Sequence, residues 1–117
     1  MLTKVIPKLP FIDKQKTIDF YVNQMGFSLL SDYGDYILLS CDTIEIHFFS
    51  FPTLIPEKSD FMIYLRIDSD IENYYQKLQK LEVEIYPNGT LETKPWNQKE
   101  FAIIDPNGTL LTFGQSV

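Results

Sequence analysis

His47 is the only imidazole of the 117-residue chain, and Glu45 stands two residues before it. Alternation along a strand puts both side chains on one face, so together they could offer two ligands to a metal. Zinc, nickel, iron and manganese sites generally need three or more converging N, O or S donors. Two donors from one strand fall short, and His47 reads as a hydrogen-bonding residue of a cleft. A Ser-His-Asp or Cys-His arrangement would have to use this same histidine. Cys41, the single cysteine, falls on the opposite parity and reads as a buried structural thiol. There is no phosphate loop and no dinucleotide fingerprint. No catalytic residue, metal or cofactor is assigned. Trp96 is the sharpest remaining residue: in Pro-Trp-Asn-Gln-Lys at 95–99 it stands in an irregular segment before a strand, where periodic packing does not require it. Its indole could anchor the loop, or it could stack on a flat ligand.

The elements that would position these residues follow from periodicity. Residues 14–25 read as a helix capped by Asp13 and stopped by Gly26, with Ile18, Tyr21, Val22 and Met25 at spacings of three and four. A second helix over 71–81, capped by Ser69 or Asp70, carries Ile71, Tyr74, Tyr75, Leu78 and Leu81 as its apolar stripe. Strands are expected at 4–11, 28–31, 36–40, 43–50, 60–67, 83–86, 101–104 and 109–113, separated by turn residues at 33–35, 87–89 and 105–108. The order is strand, helix, three strands, then the same again. The halves echo one another, with Tyr21 and Tyr75 about half the chain apart. One domain results, built of two modules at 1–50 and 59–117 with 51–58 as the linker. Pro7 and Pro10 confine the first strand to an edge, or make it an arm able to cross to a partner subunit.

Parity separates two kinds of strand face. Phe61, Ile63, Leu65 and Ile67 are uniformly apolar and should pack beneath helices, as should Ile44, Ile46 and Phe48. Their opposites carry Met62, Tyr64 and Arg66, and Glu45, His47 and Phe49. Curved sheets with such mixed faces inward would enclose a cleft. The alternative is that these faces simply meet solvent. Aromatic residues make up 15% of the chain, more than so short a sequence readily hides, which favours a cleft or an interface.

Bulk properties bound the partners. The net charge is −6 and the sequence pI about 4.6, which disfavours nucleic acid because phosphate binding needs clustered Lys and Arg. Such acidity attracts a cationic ligand, and it also serves solubility alone. A single cysteine allows no internal disulfide and fits a reducing compartment. The start, MLTKVIPKLPF, lacks the apolar core of a signal peptide, and no apolar run reaches membrane length. A cytoplasmic protein without membrane contact is expected, and the Asn-Gly-Thr triplets at 88 and 107 read as turns.

Three pieces of sequence resemble the vicinal-oxygen-chelate superfamily, also called the glyoxalase/bleomycin-resistance family. They are Asp-(x)5-Asp-Phe-Tyr at 13–21 continuing to Met-Gly-Phe at 25–27, Arg-Ile-Asp-Ser-Asp at 66–70, and Pro-Trp-Asn-Gln-Lys-Glu-Phe-Ala-Ile-Ile-Asp-Pro-Asn-Gly at 95–108. The third, with the Pro-Lys-Leu-Pro start at 7–10, is similar to the bleomycin-resistance branch. The resemblance implies an α+β fold of two βαβββ modules, usually completed by a strand-swapped dimer. It places the metal-ligand positions of the family's enzymes at Ile6, His47, Met62 and Thr112, of which only His47 can bind a metal. It implies that Trp96 lines a drug groove, with Tyr33 and Tyr36 in the region that supplies further groove aromatics. Tyr stands here where relatives can carry Trp or Phe, and His47 where some carry Glu.

The reading is a homodimer that sequesters a small, cationic aromatic drug without chemistry. Its ligand-binding residues are Tyr33, Tyr36, His47, Phe49, Met62, Tyr64 and Trp96. Flat bithiazole rings and a cationic tail, as in bleomycin-type glycopeptides, suit aromatic walls and an acidic envelope. Two rivals stay open: a metal-dependent lyase, isomerase or thiol transferase with an unusual site at His47 and Glu45, and a binding module for another aromatic metabolite.

Overall fold

The structure is a computed structural model describing all residues from Met1 to Val117. Its first half runs β1 (Lys8–Phe11), α1 (Lys14–Ile18), β2 (Ser28–Asp32), β3 (Tyr36–Cys41) and β4 (Ile44–Ser50). Its second half runs β5 (Met62–Arg66), α2 (Ile71–Lys80), β6 (Glu92–Lys94), β7 (Gln98–Ile104) and β8 (Leu110–Ser116). Each half makes one four-stranded sheet, in the orders β1-β4-β3-β2 and β5-β8-β7-β6. The architecture is α+β, two βαβββ units, as expected. In each, the first strand lies at the edge and pairs in parallel with the last. Pro7 and Pro10 thus find the one-sided place that their missing N–H groups demand.

Four expectations about element boundaries need correction. The first strand is shorter than 4–11, and Met1, Leu2 and Val5 ahead of it are almost wholly exposed. The strand expected at 83–86 reduces to a single bridge, Ile85 to Ile103. Tyr86 N donates to Ala102 O (2.9 Å) and Ala102 N donates to Gly89 O (2.8 Å), so the turn at 87–88 loops out between the two bonds and breaks the ladder. The outer strand is instead Glu92–Lys94, and β7 begins at Gln98 rather than 101. The first helix is α-helical only to Ile18 and π-helical over Asp19–Gln24. That wider turn goes with the burial of the consecutive rings Phe20 and Tyr21 and of Met25.

Caps follow local chemistry in one helix and tertiary structure in the other. The Asp13 carboxylate accepts from Lys16 N at 3.0 Å. Asp70 occupies the cap position of α2 but makes no side-chain cap bond. The Ile71 N–H is satisfied instead by the Gln115 side chain of β8, at 2.9 Å. No helix is long and apolar enough to cross a membrane.

The apolar strand faces and both helices merge into one core, where Phe101 and Phe113 stack at 5.0 Å. Cys41 packs at its margin, half-buried rather than fully buried, and burial pushes its thiol pKa up. A polar clip joins the halves. Tyr21 Oη donates to Asp105 Oδ2 (2.7 Å), Ile12 N donates to Asn107 Oδ1 (2.9 Å), and Asn107 Nδ2 donates to Thr17 Oγ1 (3.2 Å). Asp105 Oδ1 also accepts from the backbone N–H groups of Asn107 (2.8 Å) and Thr109 (2.9 Å). These buried groups therefore meet their hydrogen-bonding needs across the two halves.

Candidate functional site

The open face of the first sheet brings together Tyr36, His47 and Phe49. β3 and β4 run antiparallel with Tyr36 opposite Phe49 and Leu38 opposite His47. His47 Nδ1 lies 2.8 Å from Tyr36 Oη, and Nε2 lies 2.5 Å from Glu45 Oε2. With the ring neutral, Nε2–H donates to Glu45 and Nδ1 accepts from the Tyr36 hydroxyl. The bond from His47 holds the Glu45 carboxyl below its ordinary pKa, and Lys4 at 3.6 Å adds to this. Lys8 sits over the Tyr36 ring at 5.5 Å. Phe49 continues the apolar surface toward Phe61, with ring centres 6.1 Å apart. Tyr33 stands apart in the turn before β3, with its ring exposed and no other aromatic ring packed on it.

The second sheet assembles Met62, Tyr64 and Trp96 on its open face. Tyr64 of β5 lies opposite Thr112 of β8, which lies opposite Ala102 of β7. Trp96 belongs to the tight connection between β6 and β7, where Asn97 takes a positive φ of 61°. Both rings are tied to Glu100, which the sequence does not single out because the apolar run of its strand begins only at Phe101. Glu100 Oε2 accepts from Tyr64 Oη and from Trp96 Nε1, each at 2.8 Å. Arg66 lies over the Tyr64 ring at 5.3 Å. Burial pushes the Tyr64 hydroxyl pKa up, and its bond to Glu100 reinforces the shift.

No hydrogen bond or ring contact joins the two clusters within the chain. Nor does one chain enclose the expected cleft. Met62 is 66% exposed, Tyr64 47% and Trp96 61%, so the mixed faces lie open. Two surface hollows lie beside α1, one of them lined by Ile12, Asp13, Lys16, Leu54, Pro56, Pro106 and Asn107, away from both clusters.

The residues do not fit a resident divalent metal. Ile6, Met62 and Thr112, at the other positions that the resemblance assigns to metal ligands, offer no strong donor, and no three His, Cys, Asp or Glu side chains converge anywhere in the chain. His47 has both ring nitrogens engaged, by Tyr36 and Glu45. A metal there would have to displace one of these bonds and would find no third ligand.

Comparison with known proteins gives a consistent result. Residues 8–113 match the family model of the Glyoxalase/Bleomycin resistance protein/Dioxygenase superfamily. A bleomycin resistance protein of Geobacillus stearothermophilus is 28% identical over 127 aligned residues, which cover 96% of each chain. The crystal structure of a bleomycin-binding protein complexed with bleomycin superimposes with a TM-score of 0.87 at 27% identity, covering 99% of this chain and 100% of that one. A bleomycin resistance determinant encoded on the transposon Tn5 superimposes equally, with a TM-score of 0.87 at 28% identity and 98% coverage of each chain.

Proposed function

We propose that this chain, which belongs to the Glyoxalase/Bleomycin resistance protein/Dioxygenase superfamily, binds a bleomycin-like drug and holds it without chemical change. One observation carries the reading. The positions that the resemblance assigns to the enzymes' metal ligands hold Ile6, Met62 and Thr112 here, and the one imidazole among them, His47, has both ring nitrogens in hydrogen bonds. Such faces suit flat heteroaromatic rings, which stack on Trp and Tyr at little conformational cost. The net charge of −6 favours a cationic tail through long-range attraction.

In this reading Tyr36, His47 and Phe49 form one wall and Met62, Tyr64 and Trp96 the other, with Tyr33 at the rim. A second copy of the chain closes the groove, apposing the first-half face of one protomer to the second-half face of its partner. The exposed start of the chain, with Met1, Leu2 and Val5, supports an arm that crosses between protomers. The units 1–50 and 59–117 act as one domain across the linker 51–58, in the cytoplasm.

Titration with bleomycin while following the fluorescence of Trp96, the only tryptophan, tests the reading. A saturable change with rescue of bleomycin-treated cells is expected. Neither effect appearing would exclude the drug, and a thermal-shift panel of cationic and neutral aromatic compounds would then identify another ligand class. Metal analysis tests the absence of chemistry separately. Stoichiometric nickel, zinc or manganese in protein purified without chelator or His-tag would overturn sequestration.

A further inference from the structure

Glu100 is only 8% exposed, yet the two rings that it bonds are 47% and 61% exposed. The carboxylate is thus hidden beneath side chains that remain largely exposed themselves, with the Arg66 guanidinium over the Tyr64 ring. It is reached from opposite directions. Tyr64 stands on β5 and Glu100 on β7, with β8 between them. Gly114 of β8 lies opposite Arg66 on one side and Glu100 on the other. A Cβ at Gly114 would fall 1.7 Å from Tyr64 Oη and 2.5 Å from Cζ. The missing side chain at Gly114 is therefore what lets the Tyr64 ring lie across β8. Trp96 arrives from the β6–β7 connection, folding back four residues so that Nε1–H meets the same oxygen, Oε2.

Stability alone gives little reason for a carboxylate here. No Lys, Arg or His nitrogen lies within ion-pair distance of Glu100, and hiding an unpaired carboxylate carries a desolvation cost that an apolar side chain of similar size avoids. What only an acceptor can do at this point is hold a phenol and an indole at once. We propose that Glu100 is the positioning residue of the groove, fixing Tyr64 and Trp96 in the arrangement that receives a flat ligand without touching the ligand itself. The inference rests on the reading that these rings stack on a bound drug. Its physical basis is preorganisation: rings ordered before binding lose less freedom on binding.

The test uses the full chain with Glu100→Leu, Glu100→Gln and Gly114→Ala. The first readout is the time-resolved fluorescence anisotropy of Trp96 in ligand-free protein, and the second is bleomycin affinity. Glu100→Leu is expected to set the indole in fast local motion and to weaken bleomycin binding by about tenfold, with the urea midpoint unchanged or raised. Glu100→Gln keeps an acceptor oxygen for both donors, so Trp96 should stay ordered and affinity should remain within about threefold of the parent. Gly114→Ala should displace Tyr64, leave Trp96 ordered and still weaken binding. An equally ordered Trp96 in Glu100→Leu would overturn the proposal. Should that variant not fold, unaltered affinity in Gly114→Ala would overturn it instead. Release of Trp96 by Glu100→Leu in a protein that never binds bleomycin would leave the positioning intact and strike only the choice of drug.

Discussion

Trp96 is tethered by one hydrogen bond at a largely exposed site, whereas Tyr21 is wholly buried and donates to Asp105 across the two halves. Their losses should therefore appear in different measurements. Trp96→Ala removes a largely exposed ring and a donor to Glu100, but it also opens that carboxylate to water, so stability should fall by no more than about 1 kcal/mol. Bleomycin affinity should fall about tenfold, or roughly 1.4 kcal/mol; urea titration and calorimetry separate the two effects. Tyr21→Phe should cost about 1–3 kcal/mol of stability, because it strips a donor from a buried carboxylate. The pH dependence has a definite sign. Burial raises the Asp105 carboxyl above its ordinary pKa, while Tyr21 pulls it back down. The folded form thus binds this proton more tightly than the unfolded chain, and the group's contribution to stability declines as pH rises from its ordinary value through the raised one. Without Tyr21 the rise is greater. The penalty of Tyr21→Phe should be larger at pH 7 than at pH 4, and urea midpoints at the two values would show it.

At the scale of elements, the turn at 105–108 joins the halves and the linker at once. Gly108 has a φ of 82°, and a Cβ there would fall 2.1 Å from the carbonyl oxygen of Pro56. Gly34 has a similar φ of 92° but nothing within 4 Å. Gly34→Ala should cost only the left-handed backbone strain of roughly 1–2 kcal/mol. Gly108→Ala should cost clearly more, since the linker must move; guanidinium unfolding of both variants measures the difference. The same distinction between local and distant causes explains what was legible in the sequence. Parity along β4 and β5 placed His47, Phe49, Met62 and Tyr64 on the open faces, because alternation is a property of each strand alone. Asp13 was readable as a cap because its partner lies three residues on. Gln115 capping Ile71 was not, because that bond spans two elements. Glu92–Lys94 carries no apolar alternation, so an edge strand held only by its ladder to β7 left no mark. Glu100 was hidden for a related reason: before a strand, a Glu reads as solvated, and only the paths of Tyr64 over Gly114 and Trp96 around Asn97 show what it holds.

As a whole molecule, one chain presents two ring-bearing faces joined by no hydrogen bond or ring contact. Large exposed side chains on those faces, Met62, Tyr64 and Trp96, are ill-suited to remain in water. Association through them should make the melting temperature rise with protein concentration, and sedimentation should give twice the chain mass of 13.7 kDa. A concentration-independent monomer would contradict the proposed dimer. The central claim, binding without chemistry, is tested most directly by calorimetric titration of the purified protein with bleomycin, followed by mass spectrometry of the drug released from the complex. Saturable heat and a drug recovered at its original mass are the expected result. A drug returned with altered mass, or no saturable heat at all, would contradict it.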